Sequence, residues 1–356
     1  MDEDLTGGFS GFNDDFNYTD YNPTPMTELP ERLHPITCVA LVVYALVFLV
    51  GTLGNGAVIW VVGFQMKPTV NTVWFLNLSV ADLLCCLVLP FLAIPLACHH
   101  RWYLGNFACK LLPSLTILNM FASVLLLTFI SMDRCALVLK PVWCQNYRSA
   151  RLTWMFCCVA WAAALLLTIP SFLTRHTKSY GSHNWTTCGV QYASHALEVA
   201  VAVTRFLFGF LIPLAVISIS YGLVIGRVHS SRFRHSKKTL KVVLVVVVGF
   251  FVCWAPYHIV GLILASEIPQ SPLFEAVRNA DPLVVSLAFL NSCINPIIYV
   301  IVGQDFKTKM WRSLKVMLRN VLSEEATLVP SLADGRTQAT GTTTNTTEDL
   351  SASTTL

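Results

Sequence analysis

The sequence predicts an all-α membrane protein built as a bundle of seven transmembrane helices. Of its 356 residues, 54% are hydrophobic and only 12% are charged, whereas about 25% of the residues of a soluble domain are charged. Seven separate apolar runs are each long enough to cross about 30 Å of hydrocarbon. The run "KVVLVVVVGFFVCW" lacks the separate polar and apolar faces that a helix of a soluble protein needs. We therefore expect these runs to lie in lipid.

The seven runs follow one another with short connections and form one predicted domain, residues 35–304. Their bounds are Pro35–Phe64, Val70–Ala97, Phe107–Val138, Leu152–Leu173, Leu197–Val228, Val242–Ala265 and Val277–Val302. The sequence has no repeat of 20–50 residues, and its two halves do not mirror each other as those of many secondary transporters do. A transporter or channel is therefore only a remote alternative.

Lysine and arginine predict the orientation of the bundle. They concentrate in the loops after the first, third and fifth runs and in the segment after the seventh. Loops rich in these residues stay on the cytoplasmic side of a membrane. Since the number of spans is odd, we expect an extracellular N-terminus and a multi-pass protein of the plasma membrane, with membrane lipid around it.

Three segments lie outside the predicted bundle. Residues 1–34 are acidic and predicted to be a disordered extracellular tail. Residues 305–321 place apolar side chains at helical spacing between basic ones, which predicts an eighth, amphipathic helix on the inner leaflet. Residues 322–356 are predicted to be a disordered Ser/Thr-rich cytoplasmic tail. We expect no nucleic acid among the partners, and the residues do not decide whether the chain forms a homodimer.

Covalent modifications are expected on the outer side. Cys109 opens the third run and Cys188 lies in the second outer loop, where the oxidising compartment allows a disulfide that would tie this loop over the bundle. Asn17 in "NYT" and Asn184 in "NWT" are expected glycosylation sites. No cysteine pair has the flanking residues of a metal site.

Few polar residues interrupt the apolar runs, and they form a recognisable set. It comprises Asn55 in "GTLGNGAV", Asp82 in "LSVADLL", Asp133 and Arg134 in "SMDRC", Trp161, Pro213, Tyr221, and the motifs "FVCWAP" and "NPIIY". This set resembles the rhodopsin-like family of G-protein-coupled receptors, over all seven runs in order. The segments "HHRWYLGNFACKLLPSLTILNM", "KPVWCQNYR" and "SCINPIIYV" resemble its chemoattractant branch, above all the receptors for the anaphylatoxin fragment of the fifth complement component.

The resemblance implies a cell-surface receptor and not an enzyme. Its ligand would be a complement anaphylatoxin peptide that ends in arginine, and its output a heterotrimeric G protein, calcium release and chemotaxis. Receptor kinases would then phosphorylate the inner tail and recruit arrestin. The expected phosphorylation sites are Ser323, Thr327, Ser331, Thr337 and Thr340. Two alternatives stay open, a decoy that binds without signalling and a receptor for another chemoattractant peptide.

The resemblance also implies a sodium site within the membrane, the only cofactor that we consider. Oxygen ligands suit a small hard cation. The alternative is a polar packing network around a protonated Asp82. The expected ligands are Asp82, Asn119, Ser123, Asn291 and Asn295.

A conformational switch is implied on the inner side and in the sixth span. Asp133 would hold Arg134 in the idle receptor, and the freed Arg134 would contact the G protein; the alternative is an ordinary ion pair at a helix end. Pro256 kinks a helix because proline lacks a backbone N–H, so Pro256 and Trp254 would form a hinge, or only a fixed bend. The other expected switch residues are Tyr221, Asn295, Pro296 and Tyr299.

Two charges predict the ligand site. Arg205 lies about 33 Å outward of Arg227, and Asp281 about 21 Å outward of Asn295, at helical rise. Both should therefore lie near the outer mouth, where they would neutralise each other or reach the interface, or else recognise a charged ligand. The resemblance favours the ligand, with Arg205 on its carboxylate and Asp281 on its guanidinium. The further expected contacts are Arg175, Thr116, Met120 and Tyr257.

Two tyrosines stand among acids in the outer tail. Tyr18 and Tyr21 in "NDDFNYTDY" have the setting in which extracellular tyrosines are sulfated. Such a tail would capture a basic protein ligand and speed its encounter with the receptor. The alternative is a disordered segment that serves only solubility.

Overall fold

The computed structural model of the chain describes residues 33–180, 185–228, 237–268 and 271–302. Within these residues it has seven helical spans that are long and apolar enough to cross a membrane, which confirms the predicted fold class. The helices are α1 (Pro35–Trp60), α2 (Val70–Ala97), α3 (Gly105–Leu139), α4 (Pro141–Tyr147), α5 (Ala150–Thr174), α6 (His195–Phe206), α7 (Ile212–Val228), α8 (Lys237–Ser266) and α9 (Pro272–Val302). The outer tail, the expected amphipathic helix and the Ser/Thr-rich tail lie outside the described residues.

The predicted bounds agree with the helices to within a few residues, except at the start of the sixth and the seventh; α8 begins at Lys237, five residues before the predicted Val242. The last helix begins at Pro272, five residues before the predicted Val277. Proline is favoured at the first position of a helix, and the Ser271 hydroxyl accepts a hydrogen bond from the Phe274 N–H at 3.1 Å. These two signals start the helix in the polar residues that precede its apolar run.

The third span lies at the centre of the bundle. Helix α3 packs against α2, α5 and α7, and 67% of its most apolar window is buried, compared with 22% for the first span. Buried polar side chains therefore collect on and around α3, and both the outer and the inner site are built on its two ends.

A cross-helix hydrogen bond compensates for the proline of "NPIIY". Pro296 lacks an N–H and so leaves the carbonyl of Ser292 without its helical partner. The Asn55 side-chain amide donates to that carbonyl at 2.8 Å. A Cβ at Gly54 would lie 2.9 Å from Pro296. The glycine therefore allows the close approach of α1 and α9 on which this bond depends.

The fifth span is not one regular α-helix. A π-helical turn, Leu207–Leu211, joins α6 to α7 directly after Arg205, and such turns change the direction of the side chains that follow. Gly209 within the turn faces Met120 and His258, and a Cβ there would lie 3.0 and 3.1 Å from their side chains. The turn thus brings the fifth span close to the third and the sixth.

The second outer loop contains a β-hairpin that the sequence did not predict. Strand β1 (Arg175–Tyr180) pairs antiparallel with β2 (Trp185–Val190), with Thr177 opposite Cys188. The predicted disulfide is present between Cys109 and Cys188, whose Cα atoms are 5.6 Å apart. It ties the hairpin to the outer end of α3. Asn184 lies between the strands and outside the described residues.

Candidate functional site

A cavity of about 290 Å³ lies near the outer end of the bundle, under the hairpin. Five spans line it, the first, second, third, sixth and seventh, together with the first outer loop and the hairpin, which contributes Arg175 and Cys188. Its lining includes four of the six residues expected to contact the ligand: Thr116, Arg175, Tyr257 and Asp281. The structure therefore brings together residues that are more than 160 positions apart in the sequence.

Two polar groups of this lining have no partner in the described part of the chain. Both the Arg175 Nε and the Thr116 hydroxyl are shielded from solvent without a hydrogen bond. Burial lowers the pKa of the Arg175 guanidinium, which nevertheless stays charged at neutral pH. Since buried polar groups are nearly always paired in folded proteins, these two groups suit a ligand that supplies acceptors.

Arg205 is not part of the cavity lining itself, but it lies against Tyr257, which is. Its Nη1 donates to the Tyr257 hydroxyl at 2.9 Å, and its guanidinium carbon is 5.9 Å from the centroid of the same ring. Tyr192, after the hairpin, lies near the same guanidinium. The arginine that interrupts the fifth span thus faces the polar end of the bundle and not lipid.

Asp281 enters the cavity from the seventh span. Among the residues that the structure describes, it forms an ion pair with neither Arg175 nor Arg205. It lines the same cavity as the Arg175 guanidinium. The alternative in which Arg205 and Asp281 neutralise each other is therefore not what the structure has. The cavity presents one anion and one cation, and a second cation lies against its Tyr257.

Aromatic contacts connect this cavity to the middle of the membrane. Trp254 is 1% exposed and meets the Tyr257 ring edge to face, with centroids 5.4 Å apart. Below it, Trp254 packs on Phe250 at 6.1 Å. Met120 is fully buried and packs against Gly209 of the π-helical turn. It is not part of the cavity lining, unlike the four expected ligand contacts named above.

The residues expected to bind sodium are all buried, and one of them, Asp82, is a carboxylate. Asp82 is 0% exposed, and its Oδ2 accepts a hydrogen bond from the Asn295 amide at 2.6 Å. The Ser123 hydroxyl donates to the Asn119 Oδ1 at 3.3 Å, and Asn291 is 2% exposed. The Oδ1 atoms of Asp82 and of Asn295 are buried without a partner in the described residues. This set of oxygens fits a small hard cation.

At the inner end, Asp133 and Arg134 form the expected ion pair, with 3.8 Å between the Arg134 Nη2 and the Asp133 Oδ2. A closer cation competes for the same carboxylate. Arg148, directly after α4, donates to both Asp133 oxygens at 2.7 and 2.9 Å. Arg134 instead donates to the Asn71 side-chain oxygen. These two partners, Arg148 after α4 and Asn71 in α2, could not be predicted from the residues, because no local pattern relates either of them to the third span.

The other expected switch residues are placed only in part. Tyr221 is 7% exposed, lies near Arg134 and has a hydroxyl that lacks a hydrogen bond within the described ranges. Pro256 lies inside α8, where a kink is expected. The side chain of Tyr299 is not described. The positions Asn17, Tyr18 and Tyr21, together with Ser323, Thr327, Ser331, Thr337 and Thr340, lie outside the described residues.

The chain is similar to known receptors over most of its length. Residues 54–299 match the family described as 7 transmembrane receptor (rhodopsin family). The C5a anaphylatoxin chemotactic receptor 1 of Oryctolagus cuniculus is 48% identical over 333 residues, which cover 91% of this chain and 95% of that receptor. Its Homo sapiens counterpart is 49% identical over 317 residues, or 89% and 90% of the two chains. The C3a anaphylatoxin chemotactic receptor of Oncorhynchus mykiss is 43% identical over 319 residues, or 88% and 87%.

Proposed function

Because the chain belongs to the rhodopsin family of seven-transmembrane receptors, we propose that it is a signalling receptor for a complement anaphylatoxin with a C-terminal arginine. Membership makes it a multi-pass receptor of the plasma membrane and not an enzyme. The relatives' names support an anaphylatoxin as the ligand. The proposal adds two finer statements: the receptor recognises the terminal arginine of the ligand, and it activates a heterotrimeric G protein inside the cell.

One observation carries the recognition step. The outer cavity contains Arg175 and Asp281 in one lining, and Arg205 lies against Tyr257 of that lining. A peptide that ends in arginine offers one carboxylate and one guanidinium. The arginines can take the carboxylate in two-bond forks, and Asp281 can take the guanidinium. An apolar or purely cationic ligand would leave at least one of these charges unpaired, which is unfavourable in a desolvated site.

The signal would pass from Tyr257 to Trp254 and to the kink at Pro256. The ligand's arginine would insert beside Tyr257, which orients Arg205, and Trp254 packs directly on Tyr257. An agonist shifts such a two-state element only as far as its affinities for the two states differ. The swing of the sixth span would then open the inner face around Arg134 to a heterotrimeric G protein.

Calcium release tests this proposal directly. Cells that express the chain are expected to respond to the complement fragment, and the response should require at least about tenfold more fragment when its terminal arginine is removed, since a lost charged contact changes affinity by that order or more. Mock-transfected cells serve as the control. Binding without any calcium response would identify a decoy. Absence of binding at normal surface expression would point to another chemoattractant peptide.

A sodium ion at Asp82 is expected to oppose agonist binding. When bound, the ion would supply a positive charge that Asp82, Asn119, Ser123, Asn291 and Asn295 hold with oxygen atoms in the idle state. Raising sodium at constant ionic strength should lower agonist affinity about fivefold, the lower range of allosteric coupling. Asp82→Asn should abolish this dependence. Equal agonist affinity in sodium and in choline for the unaltered chain would refute the site.

The two tails keep their proposed roles. The acidic outer tail, with Tyr18 and Tyr21 sulfated and Asn17 glycosylated, would capture a basic ligand. The inner tail would be phosphorylated by receptor kinases and would recruit arrestin. Both belong to the proposed function of the whole chain, in which the outer tail governs the encounter rate and the inner tail ends the signal.

A further inference from the structure

Arg148 binds the Asp133 carboxylate, which is the group expected to hold Arg134 in the idle receptor. Its Nε lies 2.7 Å from the Asp133 Oδ1 and its Nη2 lies 2.9 Å from the Oδ2. This is the two-bond fork by which a guanidinium binds a carboxylate most strongly. Arg134 approaches the same Oδ2 only to 3.8 Å, which is too long for a hydrogen bond. The side chains of Asp133 and Arg148 are 14% and 21% exposed, so water screens this fork only partly.

We propose that Arg148 is a positioning residue of the inner switch. By binding Asp133 it prevents a close Asp133–Arg134 bond, and so it lowers the stability of the idle state relative to the active state. The proposal rests on the receptor function proposed above. It concerns the equilibrium between the idle and the active receptor and makes no assumption about which ligand shifts it.

The surroundings of Arg134 support this role. Arg134 is 8% exposed, and its Nε has no hydrogen bond within the described part of the chain. Its main partner, the Asn71 side-chain oxygen, is shared with Arg148, whose Nη2 lies 3.2 Å from it. Two guanidinium groups thus share one carboxylate and one amide oxygen. A buried arginine that lacks a closely bonded carboxylate is poorly stabilised where it is, and leaving that position is what activation requires.

Removal of Arg148 would reverse this balance. Asp133 and Arg134 are adjacent in the chain and already 3.8 Å apart, so a side-chain adjustment can close the distance to a hydrogen-bonded pair. The idle state would gain a charge-assisted bond that it lacks now. The fork also spans the connection between α3 and α5, in which α4 lies. The position of this inner loop is thereby linked to the contact between Asp133 and Arg134.

Purified receptor in lipid nanodiscs tests the inference. Arg148→Ala is expected to lower basal nucleotide exchange on added G protein about fivefold, the lower range of allosteric coupling. Agonist affinity measured without G protein should fall by the same factor, because one equilibrium sets both quantities. Arg148→Lys keeps the charge but loses the fork, and should lie between Arg148→Ala and the unaltered chain. The matched control is Arg151→Ala, an exposed arginine three residues further on, which should change neither quantity.

The second test asks whether Arg148 acts through Asp133. Asp133→Asn is expected to raise basal exchange, and in that background Arg148→Ala should have no further effect. An equal effect of Arg148→Ala in both backgrounds would overturn the inference. So would a loss of basal exchange with unchanged agonist affinity, which would mean that Arg148 touches the G protein itself.

Two further outcomes are distinguishable. If Arg148→Ala does not reach the membrane in folded form, Arg148→Gln, which keeps a hydrogen-bonding side chain without the charge, replaces it in both tests. If an anaphylatoxin does not bind the unaltered chain, the proposed ligand is wrong. The comparison of basal exchange among these variants then still decides the role of Arg148, because it needs no ligand.

Discussion

Replacing Arg205 by alanine is expected to weaken the response to an anaphylatoxin about 100-fold and to make the receptor nearly indifferent to the ligand's terminal arginine. Truncating one partner of a buried charge pair costs about 2–5 kcal/mol, and about 1.4 kcal/mol corresponds to a tenfold change in affinity. Arg205 is already oriented by the Tyr257 hydroxyl, so little ordering opposes its bond to the ligand. The loss of binding free energy in Arg205→Ala should therefore fall within this range of about 2–5 kcal/mol.

A four-way comparison measures this coupling. The unaltered chain and Arg205→Ala are each tested for binding and calcium release with the intact peptide and with the peptide that lacks its terminal arginine. If Arg205 binds the terminal residue, the fold-loss of affinity when both changes are combined should be clearly smaller than the product of the two single fold-losses. Independent, multiplicative losses would show that Arg205 acts elsewhere.

Two variants control the interpretation. Arg278→Ala removes an exposed arginine at the outer end of the seventh span, where it pairs with Glu275, and tests for a general effect of charge near the mouth. It should retain the affinity of the unaltered chain. Arg205→Lys keeps the charge but not the planar fork. It should recover only part of the affinity, and full recovery would mean that charge alone, without two-bond geometry, is recognised.

The spans were predictable because the membrane imposes one requirement on every crossing segment. About 20 apolar residues must occur in sequence, and the runs of this chain supply them with polar breaks between. The break between the sixth and seventh spans was misjudged. "PQSPLFEAVRNADP" is polar, yet Pro272 and Ser271 start a helix there. Hydropathy marks where a helix can meet lipid, whereas capping residues mark where it begins.

The hairpin and helix α4 could not be predicted from the residues. The strand "RHTKSY" has no clear alternation of polar and apolar side chains, and all but one of its residues are partly buried. Its pairing depends on the disulfide at Cys188 and on contacts with the first outer loop, such as the Trp102 N–H bonded to the Thr186 carbonyl at 2.7 Å. Interactions of this kind join segments that are far apart in sequence and leave no local pattern.

The ligand site was predicted in its members but not in its arrangement. Helical rise gave the depth of Arg205 and of Asp281 correctly enough to place both near the outer end. It did not give the direction in which each side chain points, which depends on helix rotation and here also on the π-helical turn after Arg205. Tyr257 therefore holds Arg205, while Asp281 shares the cavity with Arg175.

Loss of the disulfide is expected to lower ligand affinity at least about 30-fold while the seven spans remain inserted. The bond joins residues 79 positions apart, and removing a native disulfide typically costs about 2–5 kcal/mol. The cost should fall on the hairpin, because the spans are held by lipid and by their own packing. Arg175 begins the hairpin and Cys188 itself lines the cavity. A freed hairpin would have to be ordered again each time a ligand binds.

The measurement compares Cys109→Ser/Cys188→Ser with Cys98→Ser in surface expression and in ligand binding. Cys98 is a free, partly exposed thiol beside the first outer loop, so its replacement controls for the loss of a cysteine on the same side. The paired serines avoid an unpaired thiol. The described contacts that would then hold the hairpin to the bundle include the Trp102–Thr186 bond, the bond from the Thr177 N–H to Asn106 and the packing of the Arg101 guanidinium on the Trp185 ring. If the paired variant bound as tightly as Cys98→Ser, Arg175 would not need the hairpin to hold it in place, and its assignment to the ligand's carboxylate would have to be withdrawn.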